Sequence, residues 1–369
     1  MIRRRVVCVA ALLVAVWLGG LPFGTGARAA VAARPERLTD REFWKASSDL
    51  SEPNGSFRSD NLLSNEIFFQ YVIPDLVRTA KPGRAYMGVG PEQNFTYIAA
   101  VKPRIAFIVD VRRGNLDLHL MYKALFELSA DRAEFVSRLF SRARPEGIGP
   151  KATAAEIFAA YSSIDSTETL YRANLKAIDD RLVTTHGFAL SADDLQGIEY
   201  VYHAFYQFGP GLQYSSTGGF GGRNQPTYAD LMAATDGDGQ ARAYLSTEET
   251  FAFLKDLETR NLLVPVVGNF AGPKAIRAVG RYLKKKGTTV SAFYLSNVEQ
   301  YLFGDNDAWR RFYVNVAILP YDGKSLFIRS VLNPPGFGSR SLLCPIADLM
   351  NAFGRGNIAG YEDVITMSN

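Results

Sequence analysis

The chain has little of what builds metal and redox centres. Its 369 residues include two cysteines, Cys8 and Cys344, and three scattered histidines, His119, His186 and His203. No spacing among them matches a zinc motif, so no metal site is expected. A Gly-x-Ser-x-Gly elbow is missing, which removes the usual serine-hydrolase arrangement. Internal repeats and low-complexity tracts are missing too, and no linker divides the chain in two. Charge of one sign is scarce as well, with 41 Lys and Arg against 37 Asp and Glu.

The first residues account for that small excess. Arg3, Arg4 and Arg5 precede the apolar run Val6 to Leu18. Gly19, Gly20 and Pro22 then break it, and Ala27-Arg28-Ala29 places small residues where a signal peptidase reads. Residues 1–29 are expected to be a signal peptide, with the mature protein exported to the periplasm or the extracellular space. The apolar run is short for a membrane span, so no stable membrane anchor is expected after cleavage; an uncleaved anchor is the alternative. Arg3-Arg4-Arg5-Val6-Val7 also loosely resembles a twin-arginine signal, which leaves the export route open. The four arginines of this segment carry the whole formal charge of +4. A neutral mature chain gives no reason to expect nucleic acid or an anionic membrane as partner. Cys344, between Leu343 and Pro345, is expected to be a buried, reduced thiol.

Residues 30–60 are polar and broken by Pro53, Asn54 and Gly55, and they read as an N-terminal arm. Residues 61–369 read as one α/β domain. Asn61 to Ala80 is predicted helical, with Ser64 as its cap and Ile67, Phe68, Tyr71 and Val72 at helical spacing. Arg84 to Gly88 reads as a short buried strand, Gly88 to Asn94 as a glycine-containing loop, and Phe95 to Val101 as a helix. Arg104 to Asp110 is a second strand, nearly all apolar, as a strand covered on both faces must be. A large helical insertion occupies about 115–255. Strands resume at Asn261 to Val267, Thr289 to Leu295 and, last, Ser325 to Val331, with helices at Lys274 to Lys286 and Asp307 to Ile318. This alternation predicts a doubly wound, mostly parallel, Rossmann-like sheet.

Glycines between a first strand and its helix let backbone N–H groups approach a polar or anionic ligand. Asp110 ends the second strand 20 residues after Gly90, the separation at which such folds place an acid on ribose hydroxyls. Ligands of open α/β sheets bind at the carboxyl ends of strands, so Asp110, Asn269, Asn297 and Glu299 are candidates to converge on one crevice. Glu299 also stands three residues after Ser296, as the second half of a capping box. Glu92 either caps the helix near Asn94 or points at a ligand. The polar run Ser59 to Glu66 reads as a helix cap or as a lid over the glycine loop.

With these residues in place, the segment resembles the class I S-adenosylmethionine-dependent methyltransferases. The resemblance implies a methyltransferase-like fold with S-adenosylmethionine as cofactor and a small molecule as its methyl acceptor. It puts Gly88 and Gly90 along the methionine and ribose, Asp110 on the ribose, and Asn269 between cofactor and substrate. Glu92 would then face the cofactor's amino group, Asn297 the substrate, and Glu299 or Tyr301 would serve as base. Glu92 stands where that family has its third glycine and Gln93 where the dinucleotide fingerprint has its own, while Pro91 stiffens the loop; a strict NAD site is not expected. Most of the mature chain is also similar to a family of bacterial exported proteins carrying Gly-Val-Gly-Pro-Glu-Gln-Asn-Phe, Asp-x-Arg-Arg and Ala-Phe-Tyr-Leu-Ser-Asn-Val-Glu-Gln-Tyr, a likeness that implies no activity. Two functions are therefore expected in competition. One is an S-adenosylmethionine-binding methyltransferase; the other is a non-catalytic envelope protein that keeps the fold to bind another ligand or partner.

Overall fold

The computed structural model describes residues 37–216, 225–332 and 339–369. The expected signal peptide lies outside them, as do residues 217–224 of the glycine- and serine-rich stretch from Tyr214 to Pro226. Six strands make one sheet: β1 (Ala85–Gly88), β2 (Ile105–Asp110), β3 (Leu263–Val267), β4 (Val290–Ser296), β5 (Leu326–Leu332) and β6 (Ser339–Pro345). Their spatial order is β3-β2-β1-β4-β5-β6. Every pairing is parallel except that of β5 with β6. Each residue of β1, β2 and β3 is buried, because helices cover both faces; that is why these strands are continuous apolar runs.

Three helices precede β2 in the chain, namely α1 (Asp40–Leu50), α2 (Ile73–Thr79) and α3 (Gln93–Val101). Between β2 and β3 come α4 (Arg113–Leu128), α5 (Arg132–Phe140), α6 (Ala154–Ser162) and α7 (Glu168–Asp179), then α8 (Ala192–Phe208), α9 (Tyr228–Ala233) and α10 (Glu248–Thr259). The rest are α11 (Ala275–Lys285) after β3, α12 (Val298–Phe303) and α13 (Ala308–Val316) after β4, and α14 (Ile346–Gly354) and α15 (Tyr361–Thr366) at the end. The helices between β2 and β3 share the core of the sheet. Phe95 of α3 stands edge-on to Tyr122 and Phe126 of α4 and to Tyr244.

Three local expectations are corrected. The stretch read as a polar arm contains α1, opened by a capping box in which Thr39 and Glu42 bond each other's backbone. It packs on the edge strand β3, with Ser47 Oγ donating to the Pro265 carbonyl at 2.6 Å. Pro265 is tolerated there because an edge strand has one unpaired side, which α1 covers. Second, Asn61 to Ala80 is not one helix. The chain is irregular to Glu66, turns at Ile67 and Phe68, makes a 3-10 turn at Phe69–Val72, and only then enters α2. Asn61 takes a left-handed backbone (φ 45°), and Ser64 spends its hydroxyl on Gln93 in place of a cap. Third, β5 is not the last strand, since the antiparallel β6 closes that side.

Candidate functional site

The strand order reverses between β1 and β4, and helices leave the two halves of the sheet in opposite directions. A crevice forms beyond the carboxyl ends of the strands at such a point. Here it is a cavity of about 460 Å³, lined among others by Gly90, Asp110, Asn269, Asn297 and Tyr301. Five of the eight residues singled out from the sequence thus meet in one place. Gly88, Glu92 and Glu299 do not line it.

The β1–α3 loop is held from within. A side chain on Gly88 would meet Asn94 Oδ1 at 1.8 Å, so this glycine makes room for Asn94 and not for a ligand. Asn94 Nδ2 donates to the carbonyls of Val89 (2.8 Å), Gly90 (3.2 Å) and Pro91 (2.7 Å). His119 also reaches the Gly90 carbonyl, at 2.9 Å. Burial lowers the His119 pKa to about 4, so the ring is neutral; because a carbonyl only accepts, Nε2 carries the proton. Gly90 itself has φ 78° and open space where a side chain would project. It is the glycine that faces the cavity. Glu92 lies beneath the loop, where its Oε1 accepts from the Ser64 N–H at 3.2 Å and its side chain makes no helix cap. Burial, aided by the charge of Glu66, raises its pKa to about 8.

Asp110 ends β2 almost wholly buried. Its Oδ1 accepts from the backbone N–H and Nε of Arg112, and its Oδ2 from Arg112 Nη2, all within 3.0 Å. Arg112 in turn donates to the carbonyl of Asp60. That bond is one of several tying an irregular strap, residues 51–68, across the strand ends. The Glu52 N–H donates to the Val267 carbonyl, that of Gly55 to Val111, and that of Leu62 to Tyr214. Gly55 is required for this approach, since a side chain there would meet Val111 Cγ2 at 2.4 Å. The Glu52 carboxylate accepts from the backbone N–H groups of Asn269, Lys274 and Ala275 at 2.7–2.9 Å, so the start of α11 is already occupied by a protein anion. Asn269 spends its Oδ1 on the Ala271 N–H.

The strap delivers a residue that the sequence reading left unassigned. Glu66 lines the cavity yet is only 4% exposed. Its Oε1 accepts from Tyr294 OH (2.9 Å) and Ser296 Oγ (2.6 Å), and its Oε2 from Gln93 Nε2 (2.8 Å). Burial raises its pKa in spite of these donors. Ser296 reaches it from a left-handed backbone, φ 48°, at a register shift in the β4–β5 pairing. The signal that could have found Glu66 is an acid inside a polar run next to apolar chain, which local reasoning absorbs as a cap.

Glu299 lies elsewhere. It is buried against β5, where Arg329 Nε donates to its Oε2 at 2.6 Å and Arg329 Nη2 to its Oε1 at 3.1 Å, with Tyr313 OH also donating at 2.8 Å. The capping box with Ser296 is not formed; Asn297 is the cap residue and makes no side-chain capping bond. Tyr301 stands at the rim, 41% exposed, accepting from Arg58 Nη2 at 3.0 Å. Among the described residues no group of His, Cys, Asp and Glu is arranged to hold a metal ion.

Fold and cavity together define an α/β protein with a six-stranded, mostly parallel sheet and a ligand-sized crevice at its switch point. The chain belongs to the family described as a domain of unknown function (DUF7790), whose profile matches residues 61–190 and 223–344. No curated protein matches it.

Proposed function

We propose that this is a methyltransferase-like protein that binds S-adenosylmethionine in the switch-point cavity and passes its methyl group to a small acceptor. The single observation that carries the reading is the meeting of Gly90, open and side-chain-free, with Asp110 in a cavity at the β1–β4 reversal. The volume of about 460 Å³ is in the range of small-molecule sites. The reversed last strand supports a methyltransferase-like sheet over the all-parallel dinucleotide-binding one. Gly90 and Asp110 would hold the nucleoside, Asn269 and Asn297 would flank the reacting end, and Tyr301 would sit at the mouth where an acceptor arrives. The cofactor supplies the transferable methyl group. Export of the mature chain is part of the proposal.

A second reading is favoured by Asp110 itself. A carboxylate has about four acceptor positions, and Arg112 takes three of them, leaving little for a ribose. With Glu299 committed to Arg329, a non-catalytic protein that binds another ligand in the same cavity is the alternative. Calorimetric titration of the full chain with S-adenosylmethionine and S-adenosylhomocysteine separates the two. Micromolar binding of both is expected; no heat at millimolar ligand removes the methyltransferase reading and leaves the second.

A further inference from the structure

Buried acids of this protein mostly have a cation beside them. Asp110 has Arg112, Glu127 has Lys123, Asp194 has Arg113, and Glu299 has Arg329. Glu66 is different. Its donors are neutral groups, those of Gln93, Tyr294 and Ser296 with the Ser330 hydroxyl beside them, and among the described residues no cation forms an ion pair with it. Glu92 and Glu258 are also buried acids without an ion pair among those residues, but neither lines the cavity. The other charged side chains on the cavity wall are the Asp110–Arg112 pair, which neutralises itself, and Arg58, which sits at the rim over the Tyr301 ring. Five aromatic rings line the same space, those of Phe57, Tyr214, Phe270, Tyr294 and Tyr301. Aromatic walls around one carboxylate attract an organic cation through the ring quadrupoles as well as through the charge.

We propose that Glu66 is the counter-charge for a cationic ligand, so that the cavity selects molecules carrying a sulfonium or a methylated ammonium over neutral analogues of similar shape. The choice of S-adenosylmethionine as one such ligand rests on the function proposed above; the selection for cations does not. A buried carboxylate with no cation is costly, and burial raises its pKa. A cation entering the cavity offsets that cost and favours the charged form. The left-handed Ser296 belongs to the same arrangement. An L residue seldom adopts that conformation, and the turn places its hydroxyl on the Glu66 carboxylate and not on a cap.

The test uses the full chain and Glu66→Gln, which keeps the shape and removes the charge. Calorimetry compares S-adenosylmethionine with S-adenosylhomocysteine, which lacks only the methyl group and the sulfonium charge. Melting temperatures are followed in parallel with tetramethylammonium and trimethylsulfonium chloride against sodium chloride at equal ionic strength. Expected for the wild type are a preference for the sulfonium nucleoside of roughly ten- to a hundredfold and stabilisation by the organic cations alone. Both should vanish in Glu66→Gln. Identical responses of the wild type to sodium and to both organic cations overturn the proposal without recourse to the variant. A wild type blind to S-adenosylmethionine but stabilised by organic cations through Glu66 refutes the adenosyl reading alone. Equal S-adenosylmethionine binding by both proteins refutes the role of Glu66 alone.

Discussion

Replacing Glu299 by alanine should unfold the protein more easily without touching the cavity. The side chains of Glu299 and Arg329 are 2% and 0% exposed, and two N–H···O bonds join them. Burial works against the charge of Arg329, yet the Glu299 carboxylate raises its pKa above the ordinary value, so the cation stays charged. Removing the acid leaves that cation buried with only the neutral Ser368 Oγ and Cys344 thiol as hydrogen-bond partners among the described residues. Breaking such a pair costs about 3–5 kcal/mol. At roughly 2–4 °C per kcal/mol for a sizeable domain, the melting temperature should fall by about 6–20 °C, nearer the lower figure for a chain of this length. Tyr313 also loses its acceptor, which adds to the loss. Thermal melts by circular dichroism read the stability, and ligand titration well below the transition reads the cavity. Replacing both partners, as in Glu299→Leu with Arg329→Met, should recover much of the loss because no charge is stranded. A Glu299→Ala protein that melts with the wild type but no longer binds or turns over ligand would refute the structural assignment and return Glu299 to the chemistry.

Gly90→Val should leave the fold standing, at a backbone cost of roughly 1–2 kcal/mol for the positive φ, while its side chain fills the cavity and abolishes ligand heats in calorimetry. Stability should fall as pH rises from about 6.5 to 8. Burial raises the pKa values of Glu92, Asp117 and Glu258 to about 8, with the charge of Asp194 adding at Asp117. These groups hold protons in the folded state that the unfolded chain has released, so their contribution is full at low pH and is lost through their folded pKa. His119, lowered to about 4 by burial, changes charge only below this window. Urea midpoints across it should show the decline, and Glu92→Gln should flatten the slope; a midpoint that rises with pH contradicts the assignment. Cys344 is buried, and burial raises its pKa, so thiol reagents should label it slowly in the native protein and quickly in denaturant. Rapid native labelling would place it at the surface.

The unit from β1 to β2 was legible because buried parallel strands are apolar runs and the glycine loop punctuates them. The helices α4 to α8 were legible from their periodicity, while α9 and α10 were covered only by the general expectation of a helical insertion. What escaped depends on partners far apart in the chain. Glu66 acquires its meaning from Tyr294 and Ser296, more than 200 residues away, while its neighbours offer a cap at once. Glu299 has capping spacing to Ser296 but pairs with Arg329, 30 residues on, while the Ser296 hydroxyl turns to Glu66. Asp110 stands at the spacing a ribose acid requires, and nothing in that spacing foretells that Arg112 curls back onto it. The helix α1 hid because Phe43, Trp44 and Leu50 are a thin apolar stripe in a polar segment.

The strap across the strand ends has no helix or ladder of its own to hold it. Its order comes from a few bonds to other elements, those of Glu52, Gly55, Leu62 and Arg112 among them. Segments of this kind open and close locally, at a free energy well below that of global unfolding. Because Glu66 and Ser64 sit on it and line the cavity, whatever fills the cavity also freezes the strap. The amide protons of Gly55 and Leu62 are thus built-in reporters of occupancy. Their hydrogen exchange should slow with any true ligand, known or not, and stay unchanged with compounds that bind elsewhere.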